Sequence, residues 1–440
     1  MSCSERRIDV PNTLKYGSYK NSDSEWLGEI PASWPMVLLS QIVTQVKNKN
    51  SDLSEKNLLS LSYGRIKRKP IDISGGLLPA SFDGYNIIGA NDIVLRLTDL
   101  QNDHTSLRVG LSPERGIITS AYTTMRPKNS KGAEYLYYLL HTFDIRKGFY
   151  GMGSGVRQGL NYDEVKRLKL PLPPDKEQEA IAAFLDEKVA HIDSVIAEVK
   201  ASIEEYKAWK ASIIYEAVTK GLDPNVEMKD SGVEWIGYMP AKWSRTKLSN
   251  CFNIVGSGTT PTSDDDSYYI GNINWLQSGD INGGIVKATK KQVSEEAYDK
   301  FSALKVYKAP FMAIAMYGAS IANTSIVQVD ACTNQACCVF SAPNEFIVLE
   351  YVFYAVLGAK EELLLSARGG TQPNINQDIL KKLMIPIPSK SEQEYIVCSL
   401  NFKCGKINEL IAEKESLISD LESYKKSLIF EVVTGKRKVV

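Results

Sequence analysis

The chain has 440 residues, 52 Lys and Arg against 52 Asp and Glu, a hydrophobic fraction of 43% and an aromatic fraction of 9%. That length and composition fit two to four globular domains with real cores. No apolar run is long enough to span a bilayer, which argues against a membrane protein.

The N-terminal stretch MSCSERRIDVPN has no apolar core of the kind a signal peptide carries. The seven cysteines, an odd number, form no CxxC pair, so reduced thiols and a cytoplasmic location are expected. Cys337 and Cys338, in ACCVF, are expected in a buried strand. His104, His141 and His191 lie far apart in sequence and near no cysteine cluster, so no zinc site is expected.

After an N-terminal segment (1–23) comes a lead-in motif, SEWLGEIPASWPMVLL. Its Glu25, Trp26, Gly28, Pro31, Ala32, Trp34 and Leu39 return 209 residues later as Glu234, Trp235, Gly237, Pro240, Ala241, Trp243 and Leu248. The tryptophans are expected to dock a chain end onto a helix or domain rather than to stack on bases. Within 24–170, four stretches read as strands: NLLSLSYGRIKRKPID, NIIGANDIVLRLTDL, SLRVGLSP and GIITSAYTTMRP. AEYLYYLLHTFDIRKGFY reads as an amphipathic helix. The stretch closes on an exit motif, GVRQGLNYDEVKRLKLPLP, which returns 215 residues later as GTQPNINQDILKKLMIPIP.

Residues 171–221 carry a long helix. Leu185, Val189, Ile192, Ile196, Val199, Ile203, Tyr206, Lys210, Ile213 and Ala217 step by alternating fours and threes, the a/d pattern of a coiled coil. A turn-rich linker (222–232) leads into the second half. There INWLQSGDI, KAPFMAIAM, SIVQVDACT and QACCVFSAP read as strands and EYVFYAVLGAKEELLLSA as a helix, within 233–385. Residues 386–440 then repeat the long helix at an offset of 215, with Leu400, Cys404, Ile407, Ile411, Lys414, Ile418, Leu421, Lys425, Leu428 and Val432 on its seam. Pro173 and Pro388 close the segments before the helices, and Gly221 and Gly435 mark their far ends. About forty residues at roughly 1.5 Å each make a helix of about 60 Å. So narrow a stripe on so long a helix needs a partner, and the other copy is the expected one. Lys210 and Lys425 interrupt both seams at one position, where a buried ammonium must snorkel or pair.

The expected fold is therefore α+β: two similar globular domains joined by two long antiparallel coiled-coil helices. Charge is uneven. Residues 35–150 hold 15 Lys and Arg against 10 Asp and Glu, whereas 244–370 hold 10 against 12. Catalytic motifs are missing: there is no GxxxxGK[ST] loop and no NPPF- or NPPY-like adenine-methyltransferase motif. Glu164 and Lys166 match only the tail of a nuclease motif. Asp264, Asp265 and Asp266 read as a solvated loop rather than a metal site.

RGGTQPNINQDILKKLMIPIPSKSEQ, KDSGVEWIGYMPAKW, NWLQSGDIN and TNQACCVF together resemble the specificity subunit of a type I restriction–modification enzyme, in the right order over nearly the whole chain. The resemblance implies two target-recognition domains with pseudo-two-fold symmetry, each reading one half of a split, asymmetric DNA target, with the helices setting the unread gap. Its implied partners are double-stranded DNA, two modification subunits and two restriction subunits. S-adenosylmethionine, ATP and Mg would belong to those subunits, with no cofactor and no catalytic residue in this chain. The competing readings are a coiled-coil scaffold that reads no bases, or a stand-alone nuclease or methyltransferase. S-adenosylmethionine binding or metal-dependent cleavage by the purified chain would revive the latter.

Phosphates are met by Lys and Arg, bases by Arg, Asn and Gln edges. Candidate contacts in the first domain are Tyr63, Arg65, Lys67, Arg68 and Lys69, then Arg96, Arg108, Arg115 and Arg157. In the second they are Ser257, Thr259, Thr260, Asn272, Asn274, Gln277, Lys290 and Lys291, with Arg368 and Gln372 near the exit. Trp275 is expected in the core, and Gly369, Gly370, Asn374 and Asn376 in the exit turn.

Overall fold

The computed structural model describes residues 14–71, 79, 81–100, 107–152, 159–262, 266–367 and 374–439. It divides into two compact units, 1–199 with 416–440, and 200–415.

In the first unit a four-stranded antiparallel sheet runs in the order Val43–Gln45, Thr123–Pro127, Ile93–Leu95, Val109–Leu111. Two further pairs, Leu59–Ser62 with Arg65–Arg68 and Asn86–Ile88 with Gly116–Ile118, complete the strands expected from the alternating runs. Helix Ala133–Ile145 buries Tyr135, Leu136, Leu139, Leu140 and Phe143, spaced for one face at 3.6 residues per turn. They share a core with Ile93, Leu95 and Met125 of the sheet.

The second unit has a five-stranded sheet, Phe252–Gly256, Cys337–Pro343, Phe311–Ala315, Thr324–Val327, Ile285–Val286, and a three-stranded one, Lys291–Val293, Ile273–Leu276, Cys332–Thr333. Cys337 and Cys338 are buried in their strand, as expected. Helices Leu349–Gly358 and Lys360–Leu365 follow. Strand Phe252–Gly256, at the edge of its sheet, escapes the sequence pattern because its burial does not alternate: Phe252 is buried, and Ile254, two residues on and on the same face, is exposed.

Around each domain lies the same frame. Tyr19–Asn21 pairs with Glu29–Pro31, and Met228–Asp230 with Tyr238–Pro240. These hairpins cross the boundaries expected after residues 23 and 232, so the N-terminal segment and the linker each supply a strand to the following domain. Beyond them, Met36–Leu38 pairs antiparallel with Lys169–Pro171, and Ser244–Lys247 with Met384–Ile387. The lead-in and exit motifs thus form a ribbon in both units. Asn161 and Asn376 cap the short exit helices, accepting from the backbone N–H of Glu164 and Ile379.

Frame side chains also repeat their bonds. Gln178 Nε2 donates to Pro173 O (2.7 Å) and Gln393 Nε2 to Pro388 O (3.1 Å). Tyr135 Oη donates toward Pro171 O and Val433 O; Tyr351 Oη meets Pro386 O and Val218 O. Tyr138 Oη bonds Asp186, and Tyr354 Oη bonds Asn401, at the same step along the helix.

The long helices are Asp175–Lys220, the central helix, and Lys390–Val433, the distal helix. Within each unit the start of one lies beside the end of the other, as the tyrosine contacts show, so the paired segments are antiparallel. On the expected seam Leu185, Ile192, Ile196, Ile203, Leu400 and Ile407 are buried, while Val189, Val199, Ile411, Ile418 and Leu421 are half-buried. The seam lysines pair across it: Lys425 Nζ lies 2.5 Å from Asp193 Oδ1, and Lys210 Nζ 2.8 Å from Asn408 Oδ1. The helices therefore continue through these positions without splaying. Gly221 and Gly435 follow the helix ends at φ of 77° and 73°, the left-handed conformation that favours glycine.

One residue of helix Ala133–Ile145 carries a pH dependence. His141 stacks on Tyr137, and burial, aided by the Lys425 charge, pushes its imidazole down to about 4. It stays neutral in the fold while the unfolded chain takes up a proton near pH 6.5. Stability is then fully present above about 6.5 and falls as pH drops toward 4, by roughly 3 kcal/mol in all. Leu357 occupies the corresponding place in the second unit, one step on from Tyr354. His141→Leu is expected to flatten the stability slope between pH 6.5 and 5 in urea titrations; an unchanged slope would assign that acid sensitivity elsewhere.

Candidate nucleic-acid interface

The basic run of the first domain forms a β-hairpin. Ser62 pairs with Arg65 and Ser60 with Lys67, and Tyr63 and Gly64 make the turn, both at positive φ (47° and 75°) as a two-residue hairpin turn requires. Leu61 and Ile66 are buried beneath it. Gly110 permits the close approach: a Cβ there would lie 2.5 Å from Leu61 Cδ1. Alternation places Ser60, Ser62, Arg65 and Lys67 on the opposite face. Tyr63, 80% exposed, stands at the tip. Its φ is uncommon for a residue with a side chain, and such positions concentrate at functional sites.

The cations of this patch differ in what holds them. Arg65 donates to Asp193 of the central helix (3.0 Å), Arg68 forms a two-pronged ion pair with Glu114, and Arg115 meets Glu55 (2.9 Å). The Arg68 hydrogen bond holds the Glu114 carboxyl below its usual range. Lys67 and Lys69 are exposed and have no ion pair among the described residues. Arg96 is half-buried, its backbone N–H bonded to Arg108 O.

Arg108 corrects the sequence reading. It is fully buried, and its guanidinium donates to the carbonyls of Arg96, Thr98 and Asp99 and to Tyr150 Oη. It braces a loop from inside and cannot reach a phosphate. Arg157, Arg368 and Gln372 lie outside the described residues, as do Gly369, Gly370, Asp264 and Asp265.

In the second domain Lys290 and Lys291 come together with Asp266, Tyr269, Ile270, Thr289 and Gln292 around an open cleft of about 880 Å³. Tyr269, Gln292 and Ile270, the last 78% exposed, were not anticipated: Tyr269 ends a one-turn helix and Gln292 sits in a three-residue strand, both too short to show a periodicity. Asn272 is exposed nearby. Asn274 is instead engaged inside the domain, donating to Asp330 O (3.0 Å) and accepting from Thr289 and Gln292. Gln277 caps a short turn through Asp280. Ser257 and Thr259 offer their carbonyls to Tyr307 and Trp275, and Thr260 Oγ1 bonds Gln335. Trp275 is buried, as expected. Asn374 bridges to Tyr317.

No nucleophile stands out in the described parts. Burial pushes the thiols of Cys251, Cys332 and Cys338 up to about 12, the reverse of what a reactive thiolate needs. Among the described residues no group of three His, Cys, Asp or Glu side chains could hold a metal ion, and no helix is long and apolar enough to cross a membrane.

A family profile described as type I restriction modification DNA specificity domain matches residues 82–205 and 240–418. The chain is 25% identical over 447 residues to a putative type I restriction enzyme MjaX specificity subunit of Methanocaldococcus jannaschii, covering 97% of this chain and 99% of that one. It is 24% identical over 421 residues to the MjaVIII specificity subunit of the same organism, covering 93% and 94%. A solved chain reported under "Structural basis underlying complex assembly and conformational transition of the type I R-M system" superposes with a TM-score of 0.67 at 16% identity, over 92% of this chain and 99% of that one.

Proposed function

The chain belongs to the family of type I restriction modification DNA specificity domains, and from that membership we propose that it is the DNA-recognising specificity subunit of such an enzyme. Each domain reads one half of a split, asymmetric target. The helices set the gap between the halves and dock two modification subunits, adenine-N6 methyltransferases, and two ATP-driven restriction subunits. S-adenosylmethionine, ATP and Mg serve those subunits, and the chain itself acts in the cytoplasm without catalysing a step. The observation that carries this reading is one frame, repeated down to its hydrogen bonds, around two unlike domains: a basic hairpin in one and a polar cleft beside Lys290 and Lys291 in the other. Two unlike readers on one frame suit a target whose halves differ.

Single-molecule methylation sequencing of DNA from cells that express this chain with its modification subunit tests it. The expected result is one split, asymmetric motif methylated on adenine in both halves. A stable complex that methylates no new motif would favour a scaffold without base reading.

A further inference from the structure

We propose that Asp193, on the central helix, is a positioning residue for DNA discrimination by the first recognition domain: it holds Arg65 of the basic hairpin off the phosphates and fixes the hairpin's outer face. The inference rests on the DNA-recognition reading. Both Asp193 oxygens are occupied. Oδ1 takes Lys425 of the distal helix at 2.5 Å, and Oδ2 takes Arg65 at 3.0 Å.

The internal repeat separates these two contacts. Asn408 stands where Asp193 does, and Lys210 where Lys425 does, and they make the same lysine–side-chain oxygen bond at 2.8 Å. A neutral amide is therefore sufficient for the seam. Among the described residues no arginine of the second domain reaches Asn408. The carboxylate at 193 answers to Arg65 instead.

That ion pair adds little stability, since the Arg65 side chain is 71% exposed and exposed pairs are worth about 0–1 kcal/mol. Its effect is on direction and charge. The pair ties the turn-proximal end of strand Arg65–Arg68 to the helix, so that Ser60, Ser62 and Lys67 present a fixed face beside the exposed Tyr63. It also offsets a cation in a patch already carrying Lys67 and Lys69. Removing the carboxylate frees a guanidinium to bind any phosphate, which raises non-specific binding and lets the reading face swing.

The test uses the full chain in complex with its modification subunits, on target and non-target duplexes over a range of salt. Asp193→Asn copies the second unit and so retains the seam. It is expected to steepen the salt slope on non-target DNA by about one, to lower the target-to-non-target affinity ratio about 5–10-fold, and to weaken mismatch discrimination in one half of the motif only. Asp193→Glu is expected to restore all three. Asp193→Asn with an unchanged slope and ratio would overturn the proposal, as would equal loss of discrimination in both halves. A wild-type complex that binds target and non-target alike would instead overturn the DNA-recognition reading, and this inference with it.

Discussion

Replacing Lys67 and Lys69 together by alanine is expected to lower DNA affinity on every sequence by about 10–100-fold at moderate salt and to reduce the salt slope by about two. The size follows from what each cation does in the folded chain. Arg65 and Arg68 already face carboxylates, and Arg115 does too. Lys67 and Lys69 sit exposed on the hairpin without such a partner among the described residues, so their charge is fully available to phosphates. Each phosphate contact contributes nearly one unit to the slope of log K against log salt. Arg68→Ala is expected to change the slope by much less, because its guanidinium is already engaged by Glu114 and contributes little phosphate contact to lose. Fluorescence anisotropy of a labelled duplex at four salt concentrations is sufficient. A Lys67 and Lys69 double variant with the wild-type slope would remove the hairpin from the interface.

Trp34→Ala is expected to destabilise the first unit by about 3–5 kcal/mol, the range for emptying a fully buried aromatic site. Trp34 is completely buried, edge-on to Tyr16 (5.5 Å) and Tyr135 (6.4 Å). Its Nε1 donates to Glu177 Oε2 at 3.1 Å, and Tyr16 Oη donates to the other oxygen at 2.6 Å. The ring therefore joins the lead-in motif, the recognition domain and the first turn of the central helix. Alanine leaves a cavity at that junction and strips a hydrogen bond from a carboxylate. Trp34→Phe keeps most of the packing and is expected to cost about 1.5–3 kcal/mol, the share of a lost hydrogen bond to a charged group. Urea unfolding followed by far-UV dichroism reads both variants. A loss below 1 kcal/mol for alanine would mean that the junction repacks.

How much of this was open to a reader of the sequence depends on distance along the chain. The repeats, the strand runs and the four–three stepping of Ile192, Ile196 and Ile203 are local patterns, and the helices follow them. That Lys210 and Lys425 needed partners was also readable, because both interrupt an apolar stripe. Which partners they find was not: Asn408 is 198 residues from Lys210, and Asp193 is 232 from Lys425. Arg108 shows the same limit from the other side. Its residue type suits a phosphate, but its place is set by three carbonyls of the stretch that follows strand Ile93–Leu95. Tyr135 and Tyr351 read as apolar helix residues; only the fold shows each hydroxyl joining an exit proline to the far end of the other helix.

The paired ribbons at Met36–Leu38 with Lys169–Pro171, and at Ser244–Lys247 with Met384–Ile387, have a consequence for inheritance. Partners across an antiparallel pair are only about 5 Å apart at their Cα atoms. Each recognition domain therefore departs from and returns to nearly one point of the frame. Genetic recombination within the stretches encoding the ribbons can replace everything between them and leave the helices, the seam lysines and their partners untouched. A new specificity can then arise in a single exchange, provided the incoming domain keeps the side chains that bond the helices, Tyr135 and Tyr138 in the first unit.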